Sequence, residues 1–415
     1  QMKTLVITLI LYITIIFQSH ADLINNSYLE IKKTHDFFCN KIINNKLLNI
    51  NNEWSLIIRT KTRHSYINEK KKKKLSVNLF YRTNKVEKLV FTFYDKQERP
   101  YIEIRSNRFC LYKNIRKIIY NTNNVAEEIQ TININLNSIE NHQYINPKIP
   151  ILKSKKNQNI IALIDTGVNY TLEKIKSNIA VKDGKLLGYD FWDDDKRPFD
   201  GDPRQNPFYP RHHGTTVFSV LAKEAPKSLI AIYRFPALDM CKFDDLIEHI
   251  AQNSIRIVNL SMGSKKIEDW LCFKKALEKH NQIIFIVSAG NNDFNLDHNP
   301  IYPASLKLKN IITVSSSDKN GRVGRGSNIG PISVDIMVPA ERVEVIDHRG
   351  VKAYTGGTSY AAPRIAALIS RYLHKKPKSS VNDVLKFIEA RAIKNNKKTT
   401  KFGWIPDPLD DYLIN

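Results

Sequence analysis

Two patterns of apolar and polar positions divide the chain. Between residues 22 and 150 the apolar residues come in short, partly alternating runs rich in β-branched and aromatic side chains: LSVNLFYR (75–82), KLVFTFYD (88–95), PYIEIRS (100–106) and RFCLYK (108–113). Alternation with a period of two turns one face to a core and the other to solvent. The polar breaks TNK, KQER and SN between these runs predict turns. The region therefore reads as an antiparallel meander, preceded by a helix over Tyr28 to Asn45. From Asn159 onward the pattern changes. IIALID (160–165), LIAIYRF (229–235), IRIVNLS (255–261), IIFIVSAG (283–290) and IITVSSS (311–317) are near-continuous apolar runs of strand length. The helical stretches FDDLIEHIAQN and WLCFKKALEKH lie between some of them. Strands covered on both faces look like this, so residues 151–415 are predicted to form an α/β domain, three layers deep, around a mostly parallel sheet. The chemistry of such a sheet collects just beyond the carboxyl ends of its strands. Asn146 to Gln158, NPKIPILKSKKNQ, carries two prolines and several lysines and predicts a linker between the small β-rich region (22–150) and the α/β domain.

The first residues form a third pattern. Lys3 precedes an apolar stretch from Leu5 to Phe17, followed by Ser19-His20-Ala21. This is the layout of a secretory signal over residues 1–21, and the apolar stretch is short for a span of ~20 residues. Export, to a periplasm or outside the cell, would permit disulfides among Cys39, Cys110, Cys241 and Cys272. Four cysteines allow three connectivities, and pairing within each region gives Cys39 with Cys110 and Cys241 with Cys272. No pair of cysteines or Cys/His cluster has zinc spacing. The net charge is +23, densest in EKKKKKL at Glu69 to Leu75, which reads as a solvated loop. No zinc finger, aromatic RNA-binding motif or helix-turn-helix accompanies that charge, so no specific nucleic-acid binding is expected.

Three polar stretches lie where the strand-end rule places chemistry. Asp165 ends a buried strand in IIALIDTG. His213 precedes a helical run in RHHGTTVFSVLAKEAP, and a histidine takes and returns protons near neutral pH. Ser359 lies in TGGTSYAAPRIAALIS, where apolar residues at helical spacing follow two glycines. Taken alone, that serine is an N-cap or a nucleophile. Pro363 is expected within the first helical turn, where a missing N–H does no harm.

Asp, His and Ser in that chain order, as DTG at Asp165, HGT at His213 and GTSYAAP around Ser359, resemble the three signature motifs of the subtilisin-like serine proteases, over about residues 145–390. The resemblance implies a subtilisin-like fold and a secreted endopeptidase acting on polypeptides through an acyl-enzyme. Ser359 would be the nucleophile, His213 the base and Asp165 its orienting carboxylate, and IIFIVSAGNND would end in an oxyanion-hole amide at Asn291. Ser261, Met262 and Gly263 would form one wall of the substrate site, and Ala289, Gly290 and Asn292 the opposite one. No cofactor is expected in the chemistry. Asp193, Asp194, Asp195, Asp200 and Asp202 crowd an insert between Asp165 and His213. A structural calcium ion and a solvated acidic loop both suit it, though its spacing matches no EF-hand. Two positions depart from the family pattern: Thr216, where most members have a second histidine, and Tyr360, where methionine is frequent. The N-terminal region is expected to act as a propeptide or an accessory domain, and the protein to be a monomer. The rival reading is a catalytically silent relative whose basic surface holds an anionic polymer or envelope component.

Overall fold

The computed structural model describes residues 28–44, 53–153, 158–236, 238–394 and 398–409. The expected signal at 1–21 lies outside the described residues. Two compact units form: one takes in the chain up to Ile145 together with Asn206–Tyr209, the other Asn146–Gln205 and the chain from Pro210.

In the first unit a helix over 28–43 accompanies eight strands, Ser55–Arg59, Arg63–Asn68, Lys73–Arg82, Lys85–Tyr94, Pro100–Asn107, Tyr112–Tyr120, Ala126–Ile132 and Ile139–Tyr144. They pair antiparallel in chain order, as a meander does. Alternation does the sorting: Leu75, Val77 and Leu79 point to one face and join Phe38 and Cys39 of the helix, with Tyr66, Phe91, Ile102 and Ile104, in one buried cluster. The run RFCLYK is not a strand throughout. The Asn107 side chain accepts the N–H groups of Phe109 (3.0 Å) and Leu111 (3.1 Å), and Cys110 takes a φ of 61°, so a turn occupies 107–111 and the strand starts at Tyr112. The lysine run spans the connection between two strands, with Lys71 and Lys73 both paired to Glu30. Phe208 is buried against Ile118 and Ile129. Arg116 Nη1 donates to its carbonyl (2.7 Å), and the Tyr209 ring lies against the guanidinium groups of Arg105 and Arg116.

The second unit is built on an eight-stranded sheet ordered Gly188–Asp190, Ser228–Arg234, Asn159–Asp165, Ile257–Leu260, Ile284–Ser288, Ile311–Ser317, Ile336–Pro339, Gly403–Trp404, with every neighbouring pair parallel. Successive side chains of one strand serve opposite faces. Ile161 and Leu163 pack with residues of the helices Gly214–Glu224 and Thr358–Lys375, and Ala162 and Ile164 with residues of the helices Lys242–Gln252 and Leu271–Lys279. Three layers result. Burying each such aliphatic side chain stabilises by roughly 1.5–3 kcal/mol, which is why these strands read as unbroken apolar runs. Disulfides join Cys39 to Cys110 in the first unit and Cys241 to Cys272 in the second. Among the described residues no helix is long and apolar enough to cross a membrane.

Candidate active site

Asp165 is the last residue of a central strand, and its side chain is 3% exposed. A carboxylate there needs donors. Thr166 N–H supplies one (2.7 Å), and His213 Nδ1 lies 2.8 Å and 3.0 Å from its two oxygens. With Nδ1–H given to Asp165, the neutral imidazole carries its lone pair on Nε2, and the side chain keeps 31% of its surface exposed. His213 immediately precedes the helix Gly214–Glu224. A side chain at Gly214 would put a Cβ 2.0 Å from the Gly167 carbonyl oxygen, so only glycine lets this helix start approach the DTG turn. Burial pulls the His213 pKa down, but the charge and hydrogen bond of Asp165, with the charge of Asp200 behind them, outweigh it and hold the pKa above the ordinary 6.5.

Ser359 is the second residue of the helix Thr358–Lys375, and the cap is Gly357 at φ 115°, so the serine hydroxyl is not the N-cap. The proline expectation is also corrected: Pro363 is the sixth residue of the helix, beyond the first turn. Its missing N–H leaves the Ser359 carbonyl without the usual partner four residues on, and the Ser261 hydroxyl donates to that carbonyl at 3.1 Å instead. Asn291 lies beside the same helix start. Its Oδ1 accepts Thr358 N–H (2.9 Å), which leaves the exposed amide NH₂ as the donating end. Gly290 N–H donates to Thr358 Oγ1 (3.0 Å), fixing the strand end to the helix.

The residues expected to line the substrate site fall on the loops after two neighbouring strands. Ser261 is buried, Met262 partly buried and Gly263 exposed. Just beyond them Ser264 and Tyr302 exchange two backbone hydrogen bonds of 2.8 Å. Opposite, the Ala289 methyl belongs to the core, and its carbonyl accepts Asn328 Nδ2 (2.8 Å) while Asn292 N–H donates to Asn328 Oδ1 (3.0 Å). Asn328 therefore shapes this wall, and nothing in its sequence surroundings marks it. The two departures from the family pattern meet: Thr216 Oγ1 and Tyr360 OH lie 3.1 Å apart, and Thr216 also donates to the His213 carbonyl.

The acidic insert does not gather around one centre. Asp193 joins Asp190 on Arg234, Asp195 pairs with Arg197, and Asp202 pairs with Arg204; Asp194 accepts the Tyr189 hydroxyl. Asp200 differs from the other four. Fully buried, it accepts from Thr166, Thr215 and the His213 backbone, and faces His348. Burial pushes its carboxyl up, but His348, His212 and Thr166 more than reverse that and hold it down at about 2. Among the described residues, Asp200, His212 and His348 are the one group that brings three metal-binding side-chain atoms within 4.8 Å of one another. Sequence reasoning does not find the approach of His348 to Asp200: Asp200 lies among like residues, and His348 sits in no motif.

Residues 156–404 match the sequence profile of the Subtilase family. The chain is 25% identical over 251 residues to the cell wall-associated protease of Bacillus subtilis (strain 168), covering 56% of this chain and 26% of that protein. It is 23% identical over 286 residues to subtilisin-like protease 1 of Plasmodium berghei (strain Anka), covering 59% and 47%. The chain thus spans less than half the length of these curated relatives. A cold-adapted subtilisin-like serine proteinase of known structure superposes with a TM-score of 0.49 at 21% identity, covering 64% of this chain and 97% of that one. With DTG, HGT and GTS carried on one α/β unit, and the profile running over more than half of its residues, the chain belongs to the subtilase family.

Proposed function

We propose that this protein is a secreted serine endopeptidase. The observation that carries the reading is the pair formed by buried Asp165 and half-exposed His213, hydrogen bonded through Nδ1 so that Nε2 is the basic nitrogen. Asn291 supports it, held with its NH₂ free beside the helix start that carries Ser359. In this mechanism Ser359 Oγ attacks the scissile carbonyl as His213 Nε2 takes its proton, and Asp165 holds the tautomer and stabilises the imidazolium. The oxyanion accepts from Asn291 Nδ2 and from backbone N–H groups at the helix start. His213 then protonates the leaving amine, and water, activated by the same imidazole, releases the acyl-enzyme. The peptide would lie between the Ser261–Gly263 and Gly290–Asn292 segments. The N-terminal unit would serve as a propeptide, cut within Asn146–Gln158, after a signal is removed behind Ala21.

The test is reaction with a fluorophosphonate probe and mass mapping of the label, with Ser359→Ala as control. Labelling at Ser359, absent from the variant, is expected. An unlabelled mature protein would instead give the lead to the silent binding role. Sequencing the mature N-terminus tests the processing: a start near Asp22 would make the first unit a retained accessory domain.

A further inference from the structure

We propose that Asp200 is the positioning residue of this site: a single buried carboxylate that ties together the three segments carrying Asp165, His213 and Ser359 and sets the field in which His213 titrates. The proposal rests on His213 acting as the base. One Asp200 oxygen accepts Thr166 Oγ1 (2.6 Å) and His213 N–H (3.1 Å), and the other accepts Thr215 N–H (3.0 Å) and the Thr215 hydroxyl. Thr166 follows Asp165, and its Oγ1 accepts Gly214 N–H at 2.9 Å. The helix Gly214–Glu224 has no acidic residue in its first turn and no side-chain cap of its own, so Asp200 supplies the anion that a helix start favours. The third segment arrives through His348, whose Nδ1 lies 3.5 Å from Asp200. It sits in the turn between the strands Val343–Ile346 and Lys352–Thr355, and the second strand leads directly into Gly356, Gly357 and the Ser359 helix. Asn169 fastens that turn, donating Nδ2 to the His348 carbonyl (2.8 Å) while its N–H donates to Thr215 Oγ1 (2.9 Å).

A metal ion suits this cluster poorly. His212 and His348 stack face to face, 3.5 Å between centroids and 8° between planes. Their in-plane lone pairs lie in two nearly parallel planes, whereas a tetrahedral centre needs ligands that converge on one point. The His212 Nδ1 is engaged by the Asp200 carbonyl (2.8 Å), and the Asp200 carboxylate already holds four donors. A hydrogen-bonded brace accounts for the Asp200 and His212 contacts, with His348 Nδ1 facing the carboxylate at 3.5 Å.

The groups facing His213 are Asp165, Asp200 and the Tyr360 ring; those facing Asp200 are His212 and His348. Removing the Asp200 charge therefore favours neutral His213. In Asp200→Asn, the His213 imidazole, followed by NMR in a Ser359→Ala background and assigned by its loss in His213→Gln, is expected to titrate at lower pH. That readout needs no turnover, so it can fail without the protease reading failing. In active enzyme, kcat is expected to fall by about 10²-fold with KM nearly unchanged, and the acid limb of kcat/KM to move to lower pH. A folded Asp200→Asn variant whose His213 titrates where the parent's does, or whose KM rises while kcat holds, overturns the proposal. If Asp200→Asn does not fold, His348→Phe removes the imidazole that faces Asp200 and is expected to lower kcat while KM stays nearly unchanged. A folded His348→Phe variant with unchanged kcat, or with a raised KM and kcat held, overturns it equally.

Discussion

The two units solve the problem of covering a sheet in opposite ways. In the N-terminal unit the strands alternate, and one face packs on a helix over 28–43, so burial along Lys73–Arg82 and Lys85–Tyr94 is intermittent. In the second unit Ser228–Arg234, Ile284–Ser288 and Ile311–Ser317 are buried at every position. A strand buried on both faces can present chemistry only at its end, and Asp165 and Asn291 lie at or just past such ends. The meander has no equivalent: its buried acid, Glu103, pairs with Arg105 and accepts from Asn206 within the same unit. Doubly covered strands thus concentrate function at one edge, whereas the alternating sheet spreads its polar groups over a face.

The sharpest way to break that contrast is to remove one carboxylate from each unit. Asp165→Asn keeps the shape of the strand end but leaves His213 in the wrong tautomer, and kcat on a peptide substrate is expected to fall by about 10⁴-fold. Glu103→Gln, in contrast, is expected to leave kcat where it was and to lower only the melting temperature. Equal losses from the two variants would mean that the meander takes part in the chemistry. Next in size are the disulfides. Cys39–Cys110 closes a loop of 71 residues and Cys241–Cys272 one of 31, and in the chain-entropy view each stabilises by about 4 kcal/mol. The longer loop is expected to give about 0.7 kcal/mol more. Denaturant unfolding of paired Cys→Ser variants is expected to show the larger loss in the N-terminal unit, whose buried cluster is also the smaller.

The same contrast explains what could be read from the residues. Continuous runs such as IIALID and IIFIVSAG announce themselves because both faces demand apolar side chains, and the motif residues sit at fixed offsets from their ends. Half-covered strands are fainter. Ile139–Tyr144 is exposed along nearly its whole length, so no pattern marks it. Gly188–Asp190 and Gly403–Trp404 are too short to carry a period. Asp200 is hidden among like residues, since Asp195 and Asp202 pair with arginines two residues on while its own partners lie as far as His348. Tertiary structure alone separates a buried hub from a surface ion pair of the same residue type. The serine that could have been an N-cap is settled by a single backbone fact, that the helix starts one residue earlier.

That buried hub also sharpens the comparison under acid. A carboxyl held at about 2 in the fold, against an ordinary 3.8, contributes stability that is complete above 3.8 and is lost as the pH falls towards 2. The size is about 2 kcal/mol. In a fall from pH 5 to pH 2 the second unit is therefore expected to lose stability that an Asp200→Asn variant, with no such charge to protonate, does not lose. Parallel acid curves for parent and variant would contradict the depressed carboxyl.

The smallest expected effect tests the edge of the meander. Ile139 begins the last strand of the N-terminal sheet and is 44% exposed, so Ile139→Ala removes little buried surface and is expected to change unfolding free energy by less than about 0.5 kcal/mol. Ile286, fully buried in a central strand of the parallel sheet, is the matching position, and its truncation to alanine leaves a cavity between packed layers. If Ile139→Ala proved as damaging as Ile286→Ala, that edge would have to be covered in solution by something that removes Ile139 from water. Exposure in the isolated chain would then be no guide to what the N-terminal sheet buries, and the difference between a doubly covered sheet and a half-covered one would disappear at that strand.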